Sequence, residues 1–144
     1  MKRKYFVLLP LLILAACNKD NKKQYSTWYV NGEMFRTNDV GITEGKVKHI
    51  FNSKDIDNKF YIELRIDLFS IEGDYLFDCS YPHPMTCCMV INYKHVSYIN
   101  VKSSSYLRGN IYNKKCRYTL NPTWFYNESD ANDSILVKGE FNEP

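Results

Sequence analysis

Residues 60–69 constrain the fold more than any other stretch of this chain. Phe60, Ile62, Leu64, Ile66 and Leu68 fall on one face of an extended backbone. Tyr61, Glu63, Arg65, Asp67 and Phe69 fall on the other. This is period-two alternation, the pattern of a strand with one buried and one largely wet face; a helix would scatter the same apolar residues around its circumference. A strand that buries only one face needs partners, so the rest of the chain must supply a sheet.

The flanking sequence does. Thr27–Val30, Asn31-Gly32 and Glu33–Arg36 predict a hairpin, because Asn-Gly provides the two positive-φ residues of a type I′ turn. Asn38–Gly45 reads as loop and Lys46–Phe51 as a short strand. Glu72-Gly73-Asp74 predicts a turn, with Tyr75–Cys79 returning from it. Ser80–Thr86, carrying Pro82 and Pro84, reads as a stiff loop. Cys88–Tyr93 and Val96–Val101 predict two strands joined near Lys94-His95. Tyr106–Tyr112, Cys116–Leu120, Thr123–Tyr126 and Ile135–Phe141 complete the set, with Asn121-Pro122 separating the third from the second and a polar loop over 127–134. Turn signals recur about every 10–12 residues, which is the spacing of an all-β sandwich or barrel. The expectation is one antiparallel domain of about eight strands, with a lipocalin-like barrel and an immunoglobulin- or jelly-roll-like sandwich both compatible. Ala131 is the only alanine beyond residue 16, so helices have little support, whereas the 12 tyrosines favour strands.

The N-terminus follows different rules. Lys2, Arg3 and Lys4 precede an apolar run from Tyr5 to Ala16, which ends in Leu14-Ala15-Ala16-Cys17. That order is expected of a secretory signal. The run is shorter than the roughly 20 residues a spanning helix needs, and Pro10 interrupts it. Leu-Ala-Ala-Cys fits the lipobox, in which the cysteine thiol takes up diacylglycerol and cleavage follows before it. The expected layout is a signal peptide over 1–16, a lipidated flexible tether over 17–26 and an all-β domain over 27–144. Membrane lipid attached through Cys17 is then the first partner, and several acyl chains on one cysteine make an effectively permanent anchor.

Cleavage also changes the charge. Three of the 19 basic residues lie in 1–16, so the mature chain carries 16 basic and 16 acidic residues. A neutral chain without a basic stripe argues against nucleic acid as a partner.

The lipobox, the short tether, Tyr29-Val30-Asn31-Gly32 with Phe35, Gly73-Asp74-Tyr75-Leu76-Phe77 and Gly139-Glu140-Phe141 together resemble a family of small Bacteroidetes-type lipoproteins. The resemblance covers about residues 27–141 and rests on turn glycines and core aromatics. It implies an all-β domain of uncharacterised function and transfers no catalytic residue.

Four cysteines remain after Cys17: Cys79, Cys87, Cys88 and Cys116. In an oxidising compartment they are disulfide candidates. Adjacent Cys87 and Cys88 point to opposite faces of a strand, so the expectation joins Cys79 to one of them and Cys116 to the other. The same stretch, with His83, Met85 and Met89, gathers soft ligands that suit copper or zinc. It has no Cys-x₂-Cys pair, so no metal site and no cofactor is assigned. His49, His83 and His95 lack a nucleophile motif, and Glu63 and Asp67 flank Arg65, which favours ion pairing over acid–base work; no catalytic residue is assigned. Asp130, Asn132 and Asp133 offer oxygens but lack the calcium-loop glycine and glutamate. Asp133-Ser134-Ile135 resembles an O-glycosylation site at Ser134. Trp124-Phe125-Tyr126 should turn at least one aromatic outward.

These readings favour a non-catalytic, membrane-anchored domain that binds a protein or glycan at the cell envelope, on the outer membrane, with the leaflet open. The alternatives are an immunity or inhibitor protein against a toxin or hydrolase, and a metal or redox protein built on residues 79–88.

Overall fold

The computed structural model describes residues 25–45, 47–53, 60–66, 72–80, 84–100, 105–112 and 115–144. The expected signal peptide over 1–16, Cys17, most of the expected tether over 17–26, His83 and Asp67 lie outside them. The described residues form eleven strands and no helix: β1 (Ser26–Val30), β2 (Glu33–Thr37), β3 (Val40–Glu44), β4 (Lys48–Ser53), β5 (Phe60–Ile66), β6 (Gly73–Phe77), β7 (Thr86–Tyr93), β8 (Val96–Ile99), β9 (Tyr106–Tyr112), β10 (Lys115–Asn127) and β11 (Ser134–Asn142).

Five of them close on themselves. β10 pairs with β9, β9 with β6, β6 with β7, β7 with β8, and β8 returns to β10. Two three-strand wings extend the ring: β11, β1 and β2 from β10, and β5, β4 and β3 from β7. The fold is thus an all-β closed barrel with sandwich-like flanks. Among the described residues β2 and β3, consecutive strands linked through Asn38-Asp39, each pair with one strand and end the path.

Alternation drives this assembly. Ile62, Leu64 and Ile66 are fully buried, each contributing roughly 2 kcal/mol of apolar transfer. With Trp28, Ile50, Tyr75, Met89, Ile91, Leu107, Tyr118, Phe125 and Phe141 they form one core. Trp28 stacks on Phe35 at 6.1 Å and meets Phe141 at 6.2 Å. Such close packing depends on Gly139, the register partner of Trp28. A Cβ there would lie 2.6 Å from the Trp28 Cβ and 2.7 Å from the Thr27 carbonyl oxygen. The wings are also tied by polar contacts. Lys48 Nζ reaches Glu143 at 3.1 Å, while Tyr118 Oη and the Cys116 amide donate to the same carboxylate at 3.1 and 3.0 Å.

Asn31 and Gly32 take φ of 48° and 88° between β1 and β2, as the type I′ reading requires. Lys94 and His95 adopt the same left-handed pair, at 52° and 68°, between β7 and β8.

Several local expectations change. Residues 40–44 are a strand, not loop, because β3 pairs residue by residue with β4. Gly73 and Asp74 lie inside β6, and that strand does not return along β5. It joins β9 instead and runs parallel to the start of β7, with the Leu76 and Asp78 amides donating to the Met85 and Cys87 carbonyls at 2.9 Å. The sheet is therefore antiparallel except at that pair. Asn121-Pro122 does not split β10; the strand passes through with a register shift between Leu120 and Thr123. Proline is tolerated there because β10 has left β9 at Leu120 and does not meet β8 until Tyr126, so no ladder donor is required on that side. β1 begins at Ser26, next to the expected start at Thr27, and Tyr25 O and Ser26 Oγ accept hydrogen bonds from the Asn142 side chain and amide.

Candidate binding face

The strand registers place a defined set of side chains on one outer face of β11, β10, β8, β7, β5 and β4. Ser134 pairs with Tyr126, Tyr126 with Ile99, Ile99 with Val90, and Val90 with Glu63. Two residues along, Leu136 pairs with Trp124, and Cys88 with Arg65, which pairs with His49. Phe125, between the two aromatics, is buried, while Trp124 is 51% and Tyr126 is 38% exposed. The expectation that this triplet turns a ring outward is met twice, because the strand's alternation leaves both even positions outside the barrel.

Beyond the aromatics lies a charged cluster. Arg65 donates from Nε and Nη2 to the two Glu63 oxygens at 3.0 and 2.9 Å. His49 Nδ1 lies 2.7 Å from Glu63 Oε1. Arg65 and His49 are partly exposed, whereas the Glu63 side chain is almost covered. Burial pushes the Glu63 carboxyl upward, but the hydrogen bonds and charges of Arg65 and His49 outweigh it and hold the group below its usual value. The same bond raises Arg65, which also feels Tyr61 and Glu128. Glu63 thus stays ionised and orients two side chains whose outer atoms reach solvent. Cross-strand ion pairing was expected here; a nearly buried carboxylate on the nominally wet face was not. Alternation reports which face a residue occupies, not what neighbouring strands lay over it.

The cysteines divide by face. Cys79 and Cys88 form a disulfide, while Cys87 and Cys116 are free thiols. The bond closes a short loop next to Arg65 and contributes about 2–3 kcal/mol by the chain-entropy estimate. The expected second bridge, between Cys116 and Cys87, does not form. Cys87 aligns with Phe77, one residue past the Leu76–Tyr106 pair, while Cys116 aligns with Ile111. Six residues of β9, roughly 20 Å, separate these levels, far beyond the ~7 Å between Cα atoms that a disulfide spans. Cys87 points into the core under the Tyr75 carbonyl, and burial pushes its thiol up to about 12. Burial likewise raises Cys116.

That division bears on the metal reading of 79–88. Two of its sulfurs are in a disulfide, and Cys87 and Met89 face the core. Among the described residues no three His, Cys, Asp or Glu side chains gather as a cation site. His95 is an exposed turn residue. In the 127–133 loop the side chains cap their own backbone: Asn127 Oδ1 accepts from the Ser129 amide, and Asp130 Oδ1 from the Asn132 amide. Asp133 accepts from Tyr98 Oη at 3.0 Å and Asn127 Nδ2 at 2.9 Å. Ser134 opens β11 beside Tyr126 rather than lying within that loop, and it is partly exposed.

Compared with protein-family models, with curated proteins and with solved structures, the chain gives no significant match.

Proposed function

We propose that this protein is a lipid-anchored cell-envelope lipoprotein whose barrel is a non-catalytic binding domain, engaging its ligand through the outer face that carries Trp124, Tyr126 and Arg65. The observation behind this reading is the placement of two exposed aromatics and a pre-oriented guanidinium on one outer face, three strands apart. Trp, Tyr and Arg are the side chains that most often dominate binding energy. Trp and Tyr offer contact at low cost in conformational freedom, and Arg65 is already fixed by Glu63.

Acid–base chemistry fits the cluster less well. A proton donor needs a raised carboxyl, and Glu63 is lowered with both oxygens engaged. The anchor follows from Leu14-Ala15-Ala16-Cys17, and the outer membrane is the favoured location. A glycan on Ser134 would lie at the margin of this face, so that modification belongs to the same proposal.

The test has two arms. Cells fed radiolabelled palmitate should label the protein, and Cys17→Ser should abolish the label; an unlabelled wild-type protein contradicts the anchor. Tagged lipoprotein isolated from chemically crosslinked envelopes should bring down a defined ligand. Trp124→Ala/Tyr126→Ala should lose it, while Leu76→Ala, at an exposed position on β6, should keep it. Equal recovery with all three contradicts the assignment of the face.

A further inference from the structure

We infer that the ligand of this face is a neutral glycan, stacked on Trp124 and Tyr126 and hydrogen-bonded at its edge by Arg65 and its neighbours. This inference rests on the binding face proposed above and names its ligand class.

Size argues first. A Trp or Tyr side chain can cover roughly 150–250 Å², and among the described residues of this face Val90, Ile99, Leu136 and Tyr61 are half-buried. The described apolar surface of the face therefore comes mainly from the exposed parts of two rings, 51% of Trp124 and 38% of Tyr126. A stable protein–protein interface takes about 800 Å² from each partner, well beyond this patch. A short oligosaccharide needs much less, because one ring face stacks on one aromatic.

Geometry argues second. Trp124 and Tyr126 are two residues apart on one strand, so their Cα atoms are about 7 Å apart and their side chains stand on the same face. Such a pair offers adjoining stacking surfaces to consecutive sugar rings. Sugar C–H faces are weakly positive, which suits the negative face of an aromatic ring.

Charge and hydrogen-bonding chemistry argue third. Among the described residues Arg65 is balanced by Glu63 and also feels the charge of Glu128, so it brings no surplus positive charge to recruit a phosphorylated or sulfated polymer. The face does have planar polar groups suited to vicinal hydroxyls. Arg65 Nη1 takes no partner among the described residues and His49 is partly exposed, while Asn92 and Glu128, beside Ser97, lie on the far side of the Val90–Tyr126 row from Arg65. From β10 to β5 is three strand spacings, about 14 Å. A ligand of a few sugar units would therefore reach from the aromatics to the guanidinium.

The sequence contains two tryptophans, and Trp28 is fully buried, so a ligand-induced change in emission reports on Trp124. The native lipoprotein in detergent is run through gels containing soluble β-glucan, xylan, mannan, pullulan or glycol chitin, and titrated with the matching oligosaccharides. At least one polysaccharide should retard it and shift tryptophan emission to the blue. Trp124→Ala should abolish retardation, Arg65→Gln should weaken binding about 5–10-fold, and Leu76→Ala should leave it unchanged. Retardation by none of the five, or retardation that survives Trp124→Ala, overturns the inference. If none retards while envelope crosslinking still recovers a protein through Trp124 and Tyr126, the binding face stands and the glycan assignment fails.

Discussion

Replacing Glu63 with Gln tests the electrostatic account of the face. The substitution keeps the shape and removes the charge that holds two Arg65 bonds and the His49 contact. Charge-assisted hydrogen bonds contribute about 1.5–3 kcal/mol each when desolvated. The Arg65 side chain is 46% exposed and His49 31%, so water screens both. A total loss of about 1–2 kcal/mol at pH 7 is expected, or a fall in Tm of roughly 3–8 °C for a domain of this size. The pH dependence fixes the cause. The folded-state carboxyl sits below its ordinary 4.5, so its stabilisation is fully present above that value and is lost as pH falls through the lowered folded value. Urea unfolding at pH 7 and at pH 3 should show wild type losing about 1 kcal/mol more than Glu63→Gln over that interval. Identical losses in the two proteins would refute the reasoning, as would a change under 0.5 kcal/mol at pH 7.

Three further outcomes follow from the packing. Gly139→Ala should cost about 2–3 kcal/mol, measured by urea unfolding, because the added methyl would meet the backbone of Thr27 and Trp28. Asn52→Leu should raise stability by about 1–2 kcal/mol in the same assay, since Asn52 is fully buried and neither amide atom has a partner among the described residues; destabilisation would mean that the amide is satisfied by something else in the core. Alkylation of the native protein should modify no thiol quickly, because Cys87 and Cys116 are buried and their thiols raised. Denaturation should expose two thiols and added reductant two more, with a fifth appearing only if Cys17 carries no lipid.

Legibility in the sequence tracked how local the governing physics is. The Asn31-Gly32 turn and the alternation of β5 are set by neighbouring residues, and both were readable from residue types alone. β3 was hidden because Val40-Gly41-Ile42-Thr43-Glu44 has only two strong apolar positions, and pairing with β4 decides its conformation. The parallel pairing of β6 with β7 is non-local and leaves no mark in a single strand. The cysteines show the same divide. Opposite facing of Cys87 and Cys88 follows from period two, whereas the separation of Cys87 from Cys116 depends on how four strands are aligned. The exposed rings of Trp124 and Tyr126 were foreseeable from alternation. Their placement beside Ile99 and across from the Glu63–Arg65–His49 cluster required the registers of four pairings.

The central claim, that this outer face is where the protein engages its ligand, is tested most directly by photo-crosslinking in intact cells. A photoreactive phenylalanine analogue replaces Tyr126 in one strain and Leu76, exposed on β6, in another. The account predicts a discrete, light-dependent adduct from position 126, carrying either carbohydrate or protein, and none from position 76. Adducts of equal yield from both positions, or from 76 alone, would contradict it.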